Sequence, residues 1–106
     1  MDMSSLMQQA QQMQAKMVTI QEELKSRKAT GTAGGGMVTV TANGNSEILS
    51  IEIEQEIISV DEKEMLQDLI AAATNDALRK AKAIGKEEMA KLTGGINIPG
   101  VSNLFS

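Results

Sequence analysis

Arg79, Lys82 and Lys86 are spaced three and four residues apart, so on a helix they form one stripe of positive charge, with Lys80 and Lys91 nearby. A second group, Lys25, Arg27 and Lys28, follows Lys16 toward the end of an earlier helical segment. Rows of this kind can neutralise successive phosphates of a nucleic-acid backbone. The commoner fate of a charged helix face is simple solvation, and the second group also suits the electronegative end of a helix. The chain has a net charge of −4 and a pI near 4.8, so as a whole it repels polyanions. Its acids cluster elsewhere, at Glu47 to Glu56 and Asp61 to Asp68. Segregation of sign, rather than net charge, is what lets an acidic protein hold a duplex. No aromatic is placed for base stacking and no short recognition helix is evident, so any such binding addresses backbone and shape.

Other chemistry finds little support. Histidine, cysteine and tyrosine are absent, which reduces the usual bases and nucleophiles to Ser, Thr, Lys and carboxylates, and these form no recognisable constellation. Glu52, Glu54 and Glu56 alternate along the end of a strand, where a solvated face is a better account than a metal site. Gly34-Gly35-Gly36 lacks the Lys-Ser/Thr of a phosphate loop and leads into a strand, so it reads as a tight turn. We therefore expect no enzyme, no metal, no cofactor and no small-molecule substrate. The N-terminal MDMSSLMQQAQQ has neither the basic region nor the apolar run of a signal peptide, and no segment approaches membrane-spanning length. The expectation is a cytoplasmic protein with no membrane partner.

The elements that must position the cations follow from apolar periodicity. Met37 to Ala42 alternates, with Val38, Val40 and Ala42 on one side, and Leu49, Ile51 and Ile53 repeat the pattern after Asn43-Gly44-Asn45-Ser46. This is an antiparallel hairpin, with Gly44 expected at positive φ in its turn. Lys28 to Ala33 is expected to turn back at the glycines as a third, weaker strand. Met3, Leu6, Ala10, Met13, Met17, Ile20 and Leu24 alternate spacings of three and four, a heptad seam on a first helix capped by Asp2 and ending near Lys25 to Lys28. Ile57 and Ile58 are expected to tuck against the sheet edge. Ser59 and Glu62 suggest a capping box opening a second helix whose stripe runs Leu66, Leu69, Ile70, Ala73, Ala77, Ala81, Ile84. Gly85 invites a bend in it, and Thr93-Gly94-Gly95 ends it. Residues 1–95 make one domain, and 96–106, with the only proline and the only phenylalanine, a mobile tail.

Lengths and composition then point to a dimer. A seven-residue strand spans roughly 24 Å, whereas the helices span roughly 33 and 48 Å, so both overhang the sheet. With one phenylalanine, no tyrosine or tryptophan and eight methionines among 106 residues, the core lacks large rigid side chains. Leu6, Met13, Met17, Ile20 and Leu24 are the candidate subunit contacts.

Four stretches, in this order and spacing, carry a resemblance. They are Met7 to Gln14; Gly34-Gly35-Gly36-Met37-Val38; Asn75-Asp76-Ala77 with Lys80-Ala81; and Leu92-Thr93-Gly94-Gly95 with Ile98-Pro99-Gly100. From Met7 to Gly100 the chain resembles the YbaB/EbfC family of small bacterial nucleoid-associated proteins. The resemblance implies an α+β fold in the order α-β-β-β-α, a small antiparallel sheet flanked by two long helices. It also implies a tight homodimer with helices projecting as tweezer-like arms, and duplex DNA binding in the nucleoid with little or no sequence preference. It brings no catalytic residues and does not fix the DNA contacts, so Lys25, Arg27, Lys28, Arg79, Lys82 and Lys86 rest on charge and spacing. The rival reading is a protein-interaction or scaffold module that uses the methionine-rich seam.

Overall fold

The computed structural model describes residues 2–92; Thr93 to Ser106, and with them the helix stop and the tail, lie outside the described residues. Helix α1 (Met3–Ser26) is followed by strands β1 (Lys28–Ala33), β2 (Val38–Asn43) and β3 (Ile48–Ile53). Two 3-10 turns, Gln55–Ile57 and Val60–Glu62, then lead into helix α2 (Lys63–Leu92). The strands form one antiparallel sheet in the order β1-β2-β3. This is the α+β arrangement of two long helices about a small three-stranded sheet.

Small residues let α2 lie close on the sheet. Val38, Val40 and Ala42 of β2, with Ala29 of β1, are buried against Ala73, Ala77 and Ala81 of α2. Leu66, Leu69, Ile70 and Ile84 pack at the margin, so the whole α2 stripe serves the core. Approach is closest at Gly31, where a Cβ would collide with the Ala73 carbonyl oxygen and the Ala77 backbone nitrogen. A core of valine and alanine replaces missing aromatics by proximity, which raises the dispersion contact each small side chain can make. The turn into β2 has Gly34, Gly35 and Gly36 all at positive φ, as a reversal in so few residues requires.

The two sheet edges differ. On β1, Asp76 Oδ2 accepts from the Thr32 N–H at 3.2 Å, and Lys80 Nζ donates to the Thr30 carbonyl at 3.0 Å. Side chains of α2 thus close that edge. On β3, Ile51 stands opposite Val40 and Ile53 opposite Val38, so they share the α2 face. Yet α2 covers β1 and β2 only, and Ile51 remains 47% exposed.

Several expectations are corrected here. Leu49 and Ile51 are not buried in the core, Ile51 because the α2 face it shares is uncovered there. A bulge pairs Thr41 with Ser50 and Ala42 with Ile48, leaving Leu49 as the extra residue, and only Ile53 is half-buried. Gly44 is not at positive φ; Ser46 is, at 63°. Glycine is required at 44 for another reason. Its N–H donates to the Leu24 carbonyl at 2.8 Å, and a Cβ would meet Leu24 O at 2.8 Å and Ile84 Cγ2 at 3.1 Å. Ser59 caps the 3-10 turn, accepting from the Asp61 N–H at 3.2 Å, so α2 itself opens later, at Lys63. Ile57 is buried, but Ile58 is exposed. Helix α2 continues without a break through Gly85.

Helix α1 begins as expected, with Asp2 Oδ1 accepting from the Ser5 N–H at 2.8 Å, a bond that holds the carboxyl below its ordinary pKa. Of the seam, only Ile20 and Leu24 are buried, and they are buried by this chain's own residues. Arg27 meets Glu88 while Glu23 meets Lys91, so α1 and α2 run antiparallel at the base of α1. From Met3 to Thr19 no residue is buried. That free length is an arm of about 25 Å, and it makes the described chain elongated, 69 × 25 × 16 Å.

Candidate nucleic-acid interface

The cations do not all remain available. Arg27, at the C-cap of α1, donates from Nη1 to Glu88 Oε1 at 2.8 Å and from Nη2 to Glu87 Oε2 at 3.3 Å. Lys91 Nζ lies 3.1 Å from Glu88 and 3.6 Å from Glu23. Glu88 is 1% exposed, yet the Arg27 guanidinium, assisted by Lys91, holds its carboxyl below the ordinary value. The Arg27 and Lys91 values are raised in turn, both chiefly by hydrogen bonding to Glu88. Glu88 Oε2 is buried and, though 3.1 Å from Lys91 Nζ, has no well-directed donor. Arg27 therefore fastens α1 to α2, while Lys25 and Lys28 on either side are exposed and make no ion pair among the described residues.

The α2 stripe divides similarly. Asp76 accepts from Lys80 at 3.2 Å and from Arg79 at 3.0 Å, and the lysine, with the Thr32 N–H next, lowers its pKa. Arg79 is nonetheless 72% exposed, so a weak surface pair leaves its guanidinium free to take another partner. Lys82 and Lys86 are exposed and make no ion pair among the described residues. The acids beside the stripe, Asp76, Glu87 and Glu88, are each occupied by a cation. Glu47 belongs to the β2–β3 turn itself, where its carboxylate accepts from Asn43 Nδ2, whereas the acidic 3-10 turns lie beyond the N-terminal end of α2. Glu64 precedes Arg79 by fifteen residues of one helix, about 22 Å, against a screening length of about 8 Å in physiological salt.

Geometry adds a second wall that spacing alone could not reveal. Two adjoining grooves separate α2 from the β2–β3 turn, and Ser46 and Lys82 line both. Asn75, Leu78 and Arg79 complete one; Gly44, Asn45, Gly85, Lys86, Met89 and Leu24 complete the other. The turn is fixed by buried Asn43. Its Oδ1 accepts from the N–H groups of Asn45 and Glu47 at 3.0 and 3.1 Å, and its Nδ2 donates to Glu47 Oε1 at 2.9 Å. The structure thus spreads Arg79, Lys82 and Lys86 along two adjoining grooves that meet at Lys82, removes Arg27 from the set, and leaves Lys25 and Lys28 as separate surface charges. The wall residues Asn45, Ser46 and Asn75 escaped the sequence reading, in which the turn signalled only a change of direction.

Free cations along two open grooves of a small α+β chain make a surface suited to a polyanion. The chain belongs to the YbaB/EbfC DNA-binding family, whose model matches residues 1–96. A nucleoid-associated protein, DP1429, from Desulfotalea psychrophila is 59% identical over 106 residues, the full length of both chains. A nucleoid-associated protein from Pelotomaculum thermopropionicum is 51% identical over 100 residues, 94% of this chain and 95% of that one. The crystal structure of the uncharacterized protein HP0035 from Helicobacter pylori matches with a TM-score of 0.79 at 28% identity, over 89% of this chain and 99% of that chain. The family and relatives are named for DNA binding and nucleoid association, not for enzymatic activity.

Proposed function

We propose that this protein is a homodimer of the bacterial nucleoid that binds duplex DNA with little sequence preference, through the Arg79, Lys82 and Lys86 stripe. The observation that carries this reading is the pair of grooves edged by Lys82 and Lys86, two cations with no ion pair among the described residues, beside acids that other cations already neutralise. Phosphate oxygens are the partner such a row fits, and with no aromatic in the groove the bases contribute little. Lys25 and Lys28 supply additional charge. The dimer surface in this reading is the uncovered α2 side of β3, Ile48 and Ile51, together with the exposed Leu6, Met13 and half-buried Met17 of the α1 arm. Ile20 and Leu24 already serve the core of one chain and support the arm rather than the partner. Exposed apolar residues clustered on a sheet edge are what a second copy would cover.

The test is a titration of random-sequence duplex at two salt concentrations, alongside light scattering. The reading expects modest, salt-dependent binding by a particle of twice the chain mass. The stripe of Met3, Leu6, Met7 and Met13 favours the second reading, a protein-interaction module. No duplex binding at low salt, with capture of a specific protein by the α1 arm, would establish that reading instead.

A further inference from the structure

The β2–β3 turn holds Ser46 in a backbone conformation that its side chain opposes. At φ 63° it is the only non-glycine residue with positive φ among the described residues. There an L side chain crowds the backbone carbonyl, and glycine would sit without that cost. The conformation is enforced from within. Asn43 accepts from the Ser46 N–H at 2.9 Å through its carbonyl, while its buried side chain grips Asn45 and Glu47. The turn's amides are thereby committed inward. The Ser46 hydroxyl is exposed, makes no hydrogen bond among the described residues, and borders both grooves opposite Lys82. Strain retained at a rigid, open, polar position points to use rather than to folding.

We propose that Ser46 and Asn75 form the neutral half of a phosphate site, in which the Ser46 hydroxyl and the Asn75 side-chain amide donate to a backbone phosphate of the duplex held by Arg79 and Lys82. The site rests on the duplex-binding reading above and specifies how the phosphate is seated. Cations attract a phosphate from any direction, whereas a fixed hydroxyl and amide select one orientation of it. Register on the DNA is then set by the turn, and affinity chiefly by the lysines.

The two halves have different salt signatures. A lysine that neutralises a phosphate releases counterions and steepens the dependence of affinity on salt; a hydroxyl does not. The deciding variant is Ser46→Gly, which removes the hydroxyl and relieves the backbone. It is expected to fold with a Tm at or above that of the parent. It should bind random duplex about tenfold more weakly at every salt concentration, with an unchanged salt slope. Asn75→Ala should act in the same sense. Parent-like affinity in Ser46→Gly, while Lys82→Gln/Lys86→Gln weakens binding, overturns the neutral half and leaves duplex binding intact. A flattened slope in Ser46→Gly also overturns it, because the turn would then be positioning cations only. Absence of duplex binding by the parent at low salt removes both readings together.

Discussion

Arg27 Nη1 stands 2.8 Å from Glu88 Oε1, so the cation that ends α1 is bonded to a buried carboxylate of α2 and fixes the angle at which the arm leaves the sheet. Its charge is directed inward, and the binding and folding roles of neighbouring cations separate at this residue. Arg27→Gln should lower Tm while leaving the salt slope of duplex binding as in the parent. Thermal unfolding and a salt titration on one sample check both parts.

The same pair makes stability depend on acid. Glu88 has a folded pKa below its ordinary value of 4.5, so the unfolded chain takes up the proton first. The stabilisation is present above pH 4.5 and is lost as pH falls through the lower folded value. Glu88→Gln should therefore flatten the decline of Tm on acidification below pH 4.5, at the expense of Tm near neutrality. Calorimetry across that range follows the change; an acid limb as steep as the parent's would assign the loss to Asp76 or Asp2, whose values are also lowered.

Two glycines are needed for room rather than for turning. Gly44→Ala places a methyl group against Leu24 and Ile84 and should cost about 1–3 kcal/mol. Gly31→Ala meets two backbone atoms of α2 more closely than Gly44→Ala meets the Leu24 carbonyl, with no side chain in the contact to rotate aside, and should cost more. Urea unfolding of both variants gives the order directly.

The subunit surface is tested by contrast. Ile51→Asp changes an exposed residue and should yield a folded monomer by light scattering and circular dichroism. Ile20→Asp places a charge in the chain's own core and should unfold the base of the arm instead. An Ile51→Asp protein with the parent's mass moves the interface away from β3.

Duplex binding should follow the free cations. Each phosphate held contributes about 0.9 to the salt slope, so Lys82→Gln/Lys86→Gln in a dimer should flatten it by roughly 3 to 4 and weaken all sequences alike. Arg79→Gln should do less, because that guanidinium already shares Asp76. Fluorescence anisotropy with two unrelated duplexes reads both effects.

The fold was legible where one face must be dry. The α2 stripe from Leu66 to Ile84 and the alternation of Val38, Val40 and Ala42 each specify their burial through periodicity alone. Where coverage stops, periodicity misleads. Leu49 and Ile51 carry the pattern of an inward strand, but α2 is one helix wide and lies over β1 and β2. Ion pairing was the other blind spot. Spacing shows that Arg27 and Lys82 are both on the surface side of helices, but not that residues sixty positions away, Glu87 and Glu88, bond only the first. Ser46 was hidden for a related reason, since the strain at a turn residue depends on how Asn43 closes the turn.

The closure of the β1 edge by Asp76 and Lys80 bears on how many copies can ever join. A sheet open at both sides can recruit one neighbour after another and grow without limit. Here side chains of the chain's own helix already hold the Thr32 N–H and the Thr30 carbonyl on one side, so in the proposed dimer β3 is the strand, among the described residues, on which a second copy would add. Two copies meeting there would leave no further open strand among the described residues, so the proposed assembly would end at a pair instead of extending into a fibre.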